Sequence, residues 1–137
     1  MIVIDTNVVL DLFVFNDPAC VPLKQALEAG QQRWIATTPM REELARVLAY
    51  PKIVPRLAFY QRSADEVLAQ FDRHVQLMPV APRAPVRCAD GDDQCFIDLA
   101  VQHQALLLSK DGAVLSMEKR LVAHGVRAQA AMKLVAN

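Results

Sequence analysis

The chain has 137 residues, of which 53% are hydrophobic, and its 15 basic and 15 acidic residues leave no formal net charge at pH 7. This length fits one domain, so we expect a single domain over residues 1–137. The neutral balance removes the simplest argument for nucleic-acid binding, which is an excess of basic residues. No apolar run approaches the roughly 20 residues that span a bilayer, and the N-terminus lacks a signal-peptide pattern, so we expect no membrane partner.

The three cysteines are Cys20, Cys88 and Cys95, and they lack the paired spacing of metal sites. We interpret them as free thiols and expect a cytoplasmic location, where thiols stay reduced.

The first half of the chain alternates strand-like and helical segments. Residues 1–4 form a continuous apolar run, which is typical of a strand covered on both faces. A helix is predicted over residues 18–29, and a second strand over residues 33–37. A further helix over residues 39–49 ends before a proline-containing turn at 51–55.

The second half continues this alternation. Capping-box spacing at the start of segment 63–73 predicts a helix, and a strand follows at 75–80. Residues 81–91 contain prolines and read as a loop. A helix that begins at residue 92 or 93 and ends at 104 comes next, followed by a strand over 105–109.

The chain is predicted to end with a helix at about 112–124 and a short strand near 125–126. Strands that alternate with helices indicate an α/β domain with a mostly parallel central sheet.

Two acidic residues follow predicted strands. Asp5 comes directly after the first strand, and Asp111 follows the strand at 105–109 with one residue between them. The carboxyl ends of parallel strands meet at one edge of a sheet, where ligands bind. We therefore expect both carboxylates at that edge.

Helices that follow strands begin at the same edge, and two of them bring further acids. Glu43 borders the apolar face of the helix at 39–49, whereas Glu42 points to solvent. Asp93 lies within the apolar face of the helix at 92–104.

Three other acids near that helix receive structural interpretations. Asp98 points away from the apolar face and is interpreted as a solvated surface charge. Asp90 and Asp92 precede the first full turn and are interpreted as caps.

Four carboxylates at one edge need a positive partner, because like charges raise one another's pKa. The cations Lys110 and Arg46 are poorly placed to neutralise four acids. Hard divalent cations such as Mg²⁺ or Mn²⁺ take oxygen ligands and fit this need. The groups that would support such a site are Thr6, Asn7 and Ser109.

Four short motifs, in this order, resemble the PIN domain family. They are the N-terminal apolar-Asp-Thr-Asn run, E-L-x-x-V-L at 43–48, D-x-x-F-I-D-L-A at 93–100, and L-L-L-S-K-D at 106–111. The resemblance covers the whole chain and is nearest to bacterial toxins similar to virulence-associated protein C. It implies a three-layer α/β/α PIN-like fold and metal-dependent cleavage of RNA.

The resemblance also implies residue roles and partners. Asn7 matches the family's early Asn, and Ser109 matches the Ser or Thr before the last acid. The toxin of a type II toxin–antitoxin pair, a homodimer and a cognate antitoxin are implied as well. One departure is Gly112-Ala113 after the last acid, where relatives often carry further polar or acidic residues. The family's acidic quartet is matched by Asp5, Glu43, Asp93 and Asp111.

We therefore predict a Mg²⁺- or Mn²⁺-dependent endoribonuclease that hydrolyses RNA phosphodiesters through metal-activated water. Asp5, Asp93 and Asp111 are its predicted metal ligands, and Glu43 or a neighbouring residue orients the water.

Three other functions stay open from the sequence. A haloacid-dehalogenase-like phosphatase would use Asp5 as its nucleophile. The motif of that family has a second Asp two residues later, where this chain has Asn7. A catalytically silent PIN scaffold would act through protein contacts. A DNA nuclease of the same fold also stays open, because discrimination rests on contacts to the 2′-hydroxyl.

Surface groups outside the motifs allow two interpretations each. Arginines beside the second and third helical segments could line a phosphate path or form a solvated face, and they are Arg41, Arg46, Arg56 and Arg62. Aromatic residues could stack on bases or make core and dimer contacts, and they are Phe13, Phe15 and Tyr60.

Overall fold

A five-stranded parallel sheet forms the centre of the computed structural model, which describes residues 1–131. The strand order is β3-β2-β1-β4-β5, so β1 lies in the middle and the chain adds strands on both sides of it. The strands are β1 (Ile2–Ile4), β2 (Trp34–Ala36), β3 (Val75–Leu77), β4 (Leu106–Leu108) and β5 (Ala128–Gln129).

Within residues 1–131, eight α-helices flank the sheet and complete the three-layer α/β/α PIN-like fold, which confirms the predicted fold class. None of the described helices is long and apolar enough to cross a membrane. The helices are α1 (Thr6–Phe13), α2 (Val21–Glu28), α3 (Thr38–Leu48), α4 (Val54–Phe59), α5 (Ala64–His74), α6 (Gln94–His103), α7 (Gly112–Leu115) and α8 (Glu118–Val122).

The core lies around β1, β2 and β4. All three residues of β1 are buried, because helices cover both faces of a parallel sheet and no face is left for polar residues. The edge strand β3 is half-buried to exposed. The register of β1 and β4 pairs Ile4 with Leu108, which sets Asp5 beside Ser109 at the carboxyl edge.

Helix α1 is absent from the sequence prediction. It begins directly after β1, with Asp5 as its N-cap. Most of its residues are buried, including the run Val8, Val9 and Leu10. A helix covered on most sides shows no clear polar face, so its period is hidden in the sequence.

Several predicted boundaries were wrong. The predicted helix at 18–29 is a 3₁₀ turn, Pro18–Cys20, followed by α2, and the predicted helix at 112–124 is the pair α7 and α8. The turn at 51–55 ends earlier, because α4 begins at Val54. The final strand begins at residue 128, since Gly125 has a φ of +75° and Val126 still bonds back to Leu121.

Candidate active site

The ends of β1 and β4 bring two acids to one edge of the sheet. Asp5 follows β1 directly, and its backbone N–H donates to the carbonyl of Leu108 at 2.9 Å. Asp111 lies three residues beyond the end of β4 and is the N-cap of α7. Asp5 is only 4% exposed, so its carboxylate is held inside the protein.

Ser109 connects these two positions. Its fully buried hydroxyl donates to Oδ2 of Asp5 at 2.7 Å and accepts the backbone N–H of Asp111 at 3.1 Å. One hydroxyl therefore uses both its donor and its acceptor capacity to hold two acidic positions in register.

Asp5 and Asp111 are also ordinary helix caps. Oδ1 of Asp5 accepts the backbone N–H of Asn7 at 3.4 Å, and Oδ1 of Asp111 accepts the N–H of Ala113 at 2.8 Å. The exposed Asn7 thus supports the site through its backbone, whereas Thr6 is buried beside it. A capping role leaves carboxylate oxygens available for a second partner.

Asp93 is a buried acid with one oxygen that is unpaired among the described residues. It ends the 3₁₀ turn Gly91–Asp93 and enters α6, and it is 8% exposed. Its Oδ2 atom is buried and has no hydrogen-bond partner among the described residues. Burial, followed by the adjacent carboxyl of Asp111, raises the pKa of Asp93 to about 7.

The closest group of acidic oxygens contains Asp90, Asp93 and Asp111. Each of the three offers one oxygen, and these oxygens lie within 4.8 Å of one another. Asp90 is a cap, as the sequence indicates, because it accepts the backbone N–H of Asp92 at 3.0 Å. The site predicted from the sequence does not include Asp90.

The sequence feature that could have identified Asp90 as a member of the acidic group is its spacing from Asp93. Residues three apart in a 3₁₀ turn lie on the same side of it, so the D-G-D-D run brings its first and last acids together.

Asp5 and Glu43 lie next to this group. Burial raises the pKa of Asp5, and the charge of Asp111 adds to that increase. Burial also raises the pKa of the half-buried Glu43, with Asp5 as the next cause and Arg46 opposing it. The structure therefore brings all four predicted acids to one edge, while their assignment as site residues stays a prediction.

The basic residues near the acids offset their charge only in part, because Arg46 lowers the pKa of Glu43 but forms no salt bridge to it among the described residues. Lys110 forms an ion pair with Asp11 on α1. Within residues 1–131, the salt bridges include none to Asp5, Glu43, Asp93 or Asp111.

A hard divalent cation fits this donor set. All of the donors are carboxylates, and the buried Oδ2 of Asp93 would otherwise remain an unpaired polar atom. Carboxylate oxygens are what Mg²⁺ and Mn²⁺ prefer.

Three of the four arginines in the predicted phosphate path contact other side chains of the protein. Arg41 makes a bidentate pair with Asp72 at 2.7 and 2.9 Å, and Arg56 lies 3.7 Å from the ring centre of Phe15. Arg62 is 3.9 Å from a carboxylate oxygen of Glu66.

The sequence model of the family described as PIN domain matches residues 1–112. The chain belongs to the PIN domain family. PIN domains are typically metal-dependent nucleases, and the acidic group of this one is compatible with that activity. No curated protein and no solved structure matches the chain.

The matched segment contains every acid of the candidate site. Because it ends at residue 112, the prediction of one domain over 1–137 stays a prediction, and residues 132–137 lie outside the described structure.

Proposed function

We propose that this PIN domain is a Mg²⁺- or Mn²⁺-dependent endoribonuclease and the toxin component of a type II toxin–antitoxin pair. The observation that carries the nuclease proposal is the buried Oδ2 of Asp93, which has no partner within residues 1–131 and lies in a group of carboxylates without a salt bridge there. An uncompensated site of this kind is costly for folding and is explained by a cation that binds there.

The chain's own residues divide the work. Asp93 and Asp111, together with Asp90 or Asp5, would hold the cation, and Ser109 keeps the carboxylate of Asp5 in one orientation. When bound, the metal neutralises charge on the scissile phosphate and lowers the pKa of water.

Glu43 is the group placed to move a proton. It is half-buried beside Asp5, and its pKa is raised. The shift moves this pKa towards neutral pH, and a general base works best when its pKa is close to the pH of the reaction. Glu43 would orient the attacking water and accept its proton at a carboxylate oxygen.

The partners we propose are RNA, a cognate antitoxin and a second copy of the chain. The resemblance to virulence-associated protein C supports all three. Exposed apolar side chains on and beside α4 offer surface for a protein partner, with Phe59 79% exposed and Val54 49% exposed. The free cysteines agree with the proposed cytoplasmic location.

The test is cleavage of a panel of structured and single-stranded RNAs, and of matching DNAs, with Mn²⁺ and then Mg²⁺. Asp5→Asn and Asp93→Asn should each lower the RNA cleavage rate at least about 100-fold, as loss of a group that stabilises the transition state does. Chelation by EDTA should abolish cleavage.

The matched control is Asp65→Asn, which removes an exposed acid in the first turn of α5. It should cleave like the parent protein, and circular dichroism should show that all variants are folded. Full activity in Asp93→Asn would contradict the assignment, and cleavage of the DNAs alone would replace RNA as the substrate.

A further inference from the structure

Two depressions lie at the opposite edge of the sheet. A cavity of about 540 Å³ lies between α1, α2 and α5. Its wall includes Phe13, at the end of α1, and His74, directly before β3. Strands β2 and β3 begin here, whereas the acids follow the ends of β1 and β4, so this cavity and the acids lie at opposite edges. The volume is in the range of small-molecule sites.

The cavity is rich in positive charge. Lys24, Arg62 and Arg73 line it, against one acid, Glu28. A neighbouring depression of about 670 Å³ shares Arg73 and His74 and adds Arg33. We call the two together the basic groove. In a chain without net charge, this local excess marks a face that favours anions.

Most cations of the basic groove have no acidic partner. Among the described residues, Lys24, Arg33 and Arg73 take part in no salt bridge, and Arg62 makes only the 3.9 Å contact with Glu66. Arg41 differs, because Asp72 already binds both sides of its guanidinium. Arg33 and Arg73 therefore keep free the planar donors that suit phosphate.

One wall of the basic groove is aromatic. Phe13 stacks on His74 with ring centres 6.2 Å apart and planes 14° apart, and on the buried Trp34 at 5.9 Å. Burial, and then the charge of Arg73, lower the pKa of His74, which favours the neutral imidazole. Phe13 and His74 are only partly buried, and aromatic rings that reach the surface beside basic groups are typical of sites that stack nucleobases.

The rim supplies neutral hydrogen-bonding groups. Asn16 and Gln70 line the cavity with exposed amide side chains. Asn16 has a φ of 50°, a left-handed conformation that Asn tolerates better than most residues. Amides can pair with the donors and acceptors of a base or a ribose.

We propose that the basic groove binds a nucleoside monophosphate unit, with its phosphate on the free arginine and lysine side chains and its base against the Phe13–His74 wall. The unit is either a free mononucleotide or part of an RNA strand that continues along the groove past Arg33. An acidic peptide would use the cations but not the aromatic wall, so the nucleotide explains more of the site.

The experiment is isothermal titration calorimetry of the whole protein in EDTA, so that cleavage does not contribute. The probes are AMP, adenosine, inorganic phosphate, a short single-stranded RNA and hexaglutamate. AMP should bind more tightly than adenosine, which lacks the phosphate, and more tightly than inorganic phosphate, which lacks the nucleoside. Tighter binding of the RNA than of AMP identifies a strand, whereas weaker binding identifies a free nucleotide.

The charge-reversed pair Lys24→Glu with Arg73→Glu should weaken AMP binding at least about tenfold, a change of about 1.4 kcal/mol. Both side chains are exposed, so the fold should tolerate the change. Lys119→Glu, on the exposed face of α8, is the matched control and should bind like the parent protein.

Trp34 supplies a second measurement in the unchanged protein. It is the one tryptophan of the chain and contacts Phe13 of the wall, so AMP should change its emission in a saturable way. The proposal is overturned if AMP and RNA fail to bind at about 1 mM. It is also overturned if the reversed pair binds AMP normally, or if hexaglutamate or phosphate binds as well as AMP.

Discussion

At the residue scale, the carboxylate of Asp5 caps a helix and also lies at the candidate active site. It caps α1 through the N–H of Asn7, and its other oxygen accepts the hydroxyl of Ser109. These bonds offset the cost of burial by fixing both oxygens, although burial still raises the pKa of the group. A cap that is also held from a second strand is well ordered before any ligand binds.

Replacing Ser109 with Ala should damage both the stability and the site. The change leaves an oxygen of Asp5 and the N–H of Asp111 without their shared partner, which should lower the free energy of unfolding by about 1–3 kcal/mol. Urea denaturation measures this loss. RNA cleavage by the folded variant should also fall, because Asp5 is no longer oriented.

The matched control is Ser116→Ala. That hydroxyl is exposed and donates only to the carbonyl of Ala113 at 3.0 Å. Its loss should change the free energy of unfolding by less than about 0.5 kcal/mol. Equal effects of the two substitutions would contradict the role given to Ser109.

At the element scale, α6 holds the loop that precedes it. Asp98 accepts the N–H of Ala84 and a donor of Gln94, each at 2.8 Å. Gln94 in turn accepts the N–H of Cys88 at 2.7 Å and donates to the carbonyl of Val86 at 3.0 Å. The interpretation of Asp98 as a solvated surface charge was therefore wrong.

The helical period could not reveal this role. It places Asp98 away from the apolar face of α6, and that placement is correct as far as the sheet is concerned. The opposite face of the helix is covered by the loop at 81–91, whose path depends on tertiary contacts. Sequence periodicity reports one buried face and contains no information on what covers the other.

Asp98→Ala should release this loop from α6, because Ala84 and Gln94 lose their shared acceptor. Trypsin should then cut at Arg83 and Arg87 faster than in the parent protein, since backbone that has lost its hydrogen bonds opens more often. The free energy of unfolding should fall by about 1–3 kcal/mol.

Glu42→Ala, at an exposed position of α3, serves as the control for loss of a charge and should leave the digestion pattern unchanged. Unaltered cleavage at both arginines in Asp98→Ala would show that the loop is held by other contacts.

At the scale of the whole molecule, the acidic edge lowers the stability of the metal-free protein. The pKa values of Asp5, Glu43 and Asp93 are all raised by folding, so the folded protein binds more protons than the unfolded chain. The stability contributed by these groups is therefore highest at low pH and is lost as the pH rises above about 4, and the loss from Asp93 continues to about pH 7. A bound cation removes this penalty.

Asp93→Asn should therefore stabilise the protein in EDTA. The gain in Tm over the parent protein should be larger at about pH 7.5 than at about pH 5, because Asp93 is ionised only at the higher pH. Mn²⁺ at about 100 times its dissociation constant should add about 2.7 kcal/mol to the parent and much less to the variant. Thermal melts with and without Mn²⁺ measure both effects.

Asp65→Asn is again the control, and it should follow the parent at both pH values and with Mn²⁺. A variant Asp93→Asn that is less stable than the parent in EDTA at about pH 7.5 would mean that the carboxylate of Asp93 has a partner in the metal-free protein.

The sequence by itself determined the α/β class, the strands of the core and the positions of Asp5, Asp93 and Asp111 at one edge. It could do so because local signals suffice: continuous apolar runs mark central parallel strands, and residues that follow such strands share an edge. The helical period likewise distinguished the inward Glu43 from the exposed Glu42.

Only the tertiary structure decided which groups meet across distant parts of the chain. In the folded protein Asp90 lies in the acidic group, and Lys110 forms an ion pair with Asp11. The basic groove is formed by residues of α1, α2 and the region around α5. The physical reason is that a period describes the faces of one element, whereas partner choice depends on how several elements pack together. Neutral net charge concealed this segregation, because acids at one edge and bases at the other cancel in the sum.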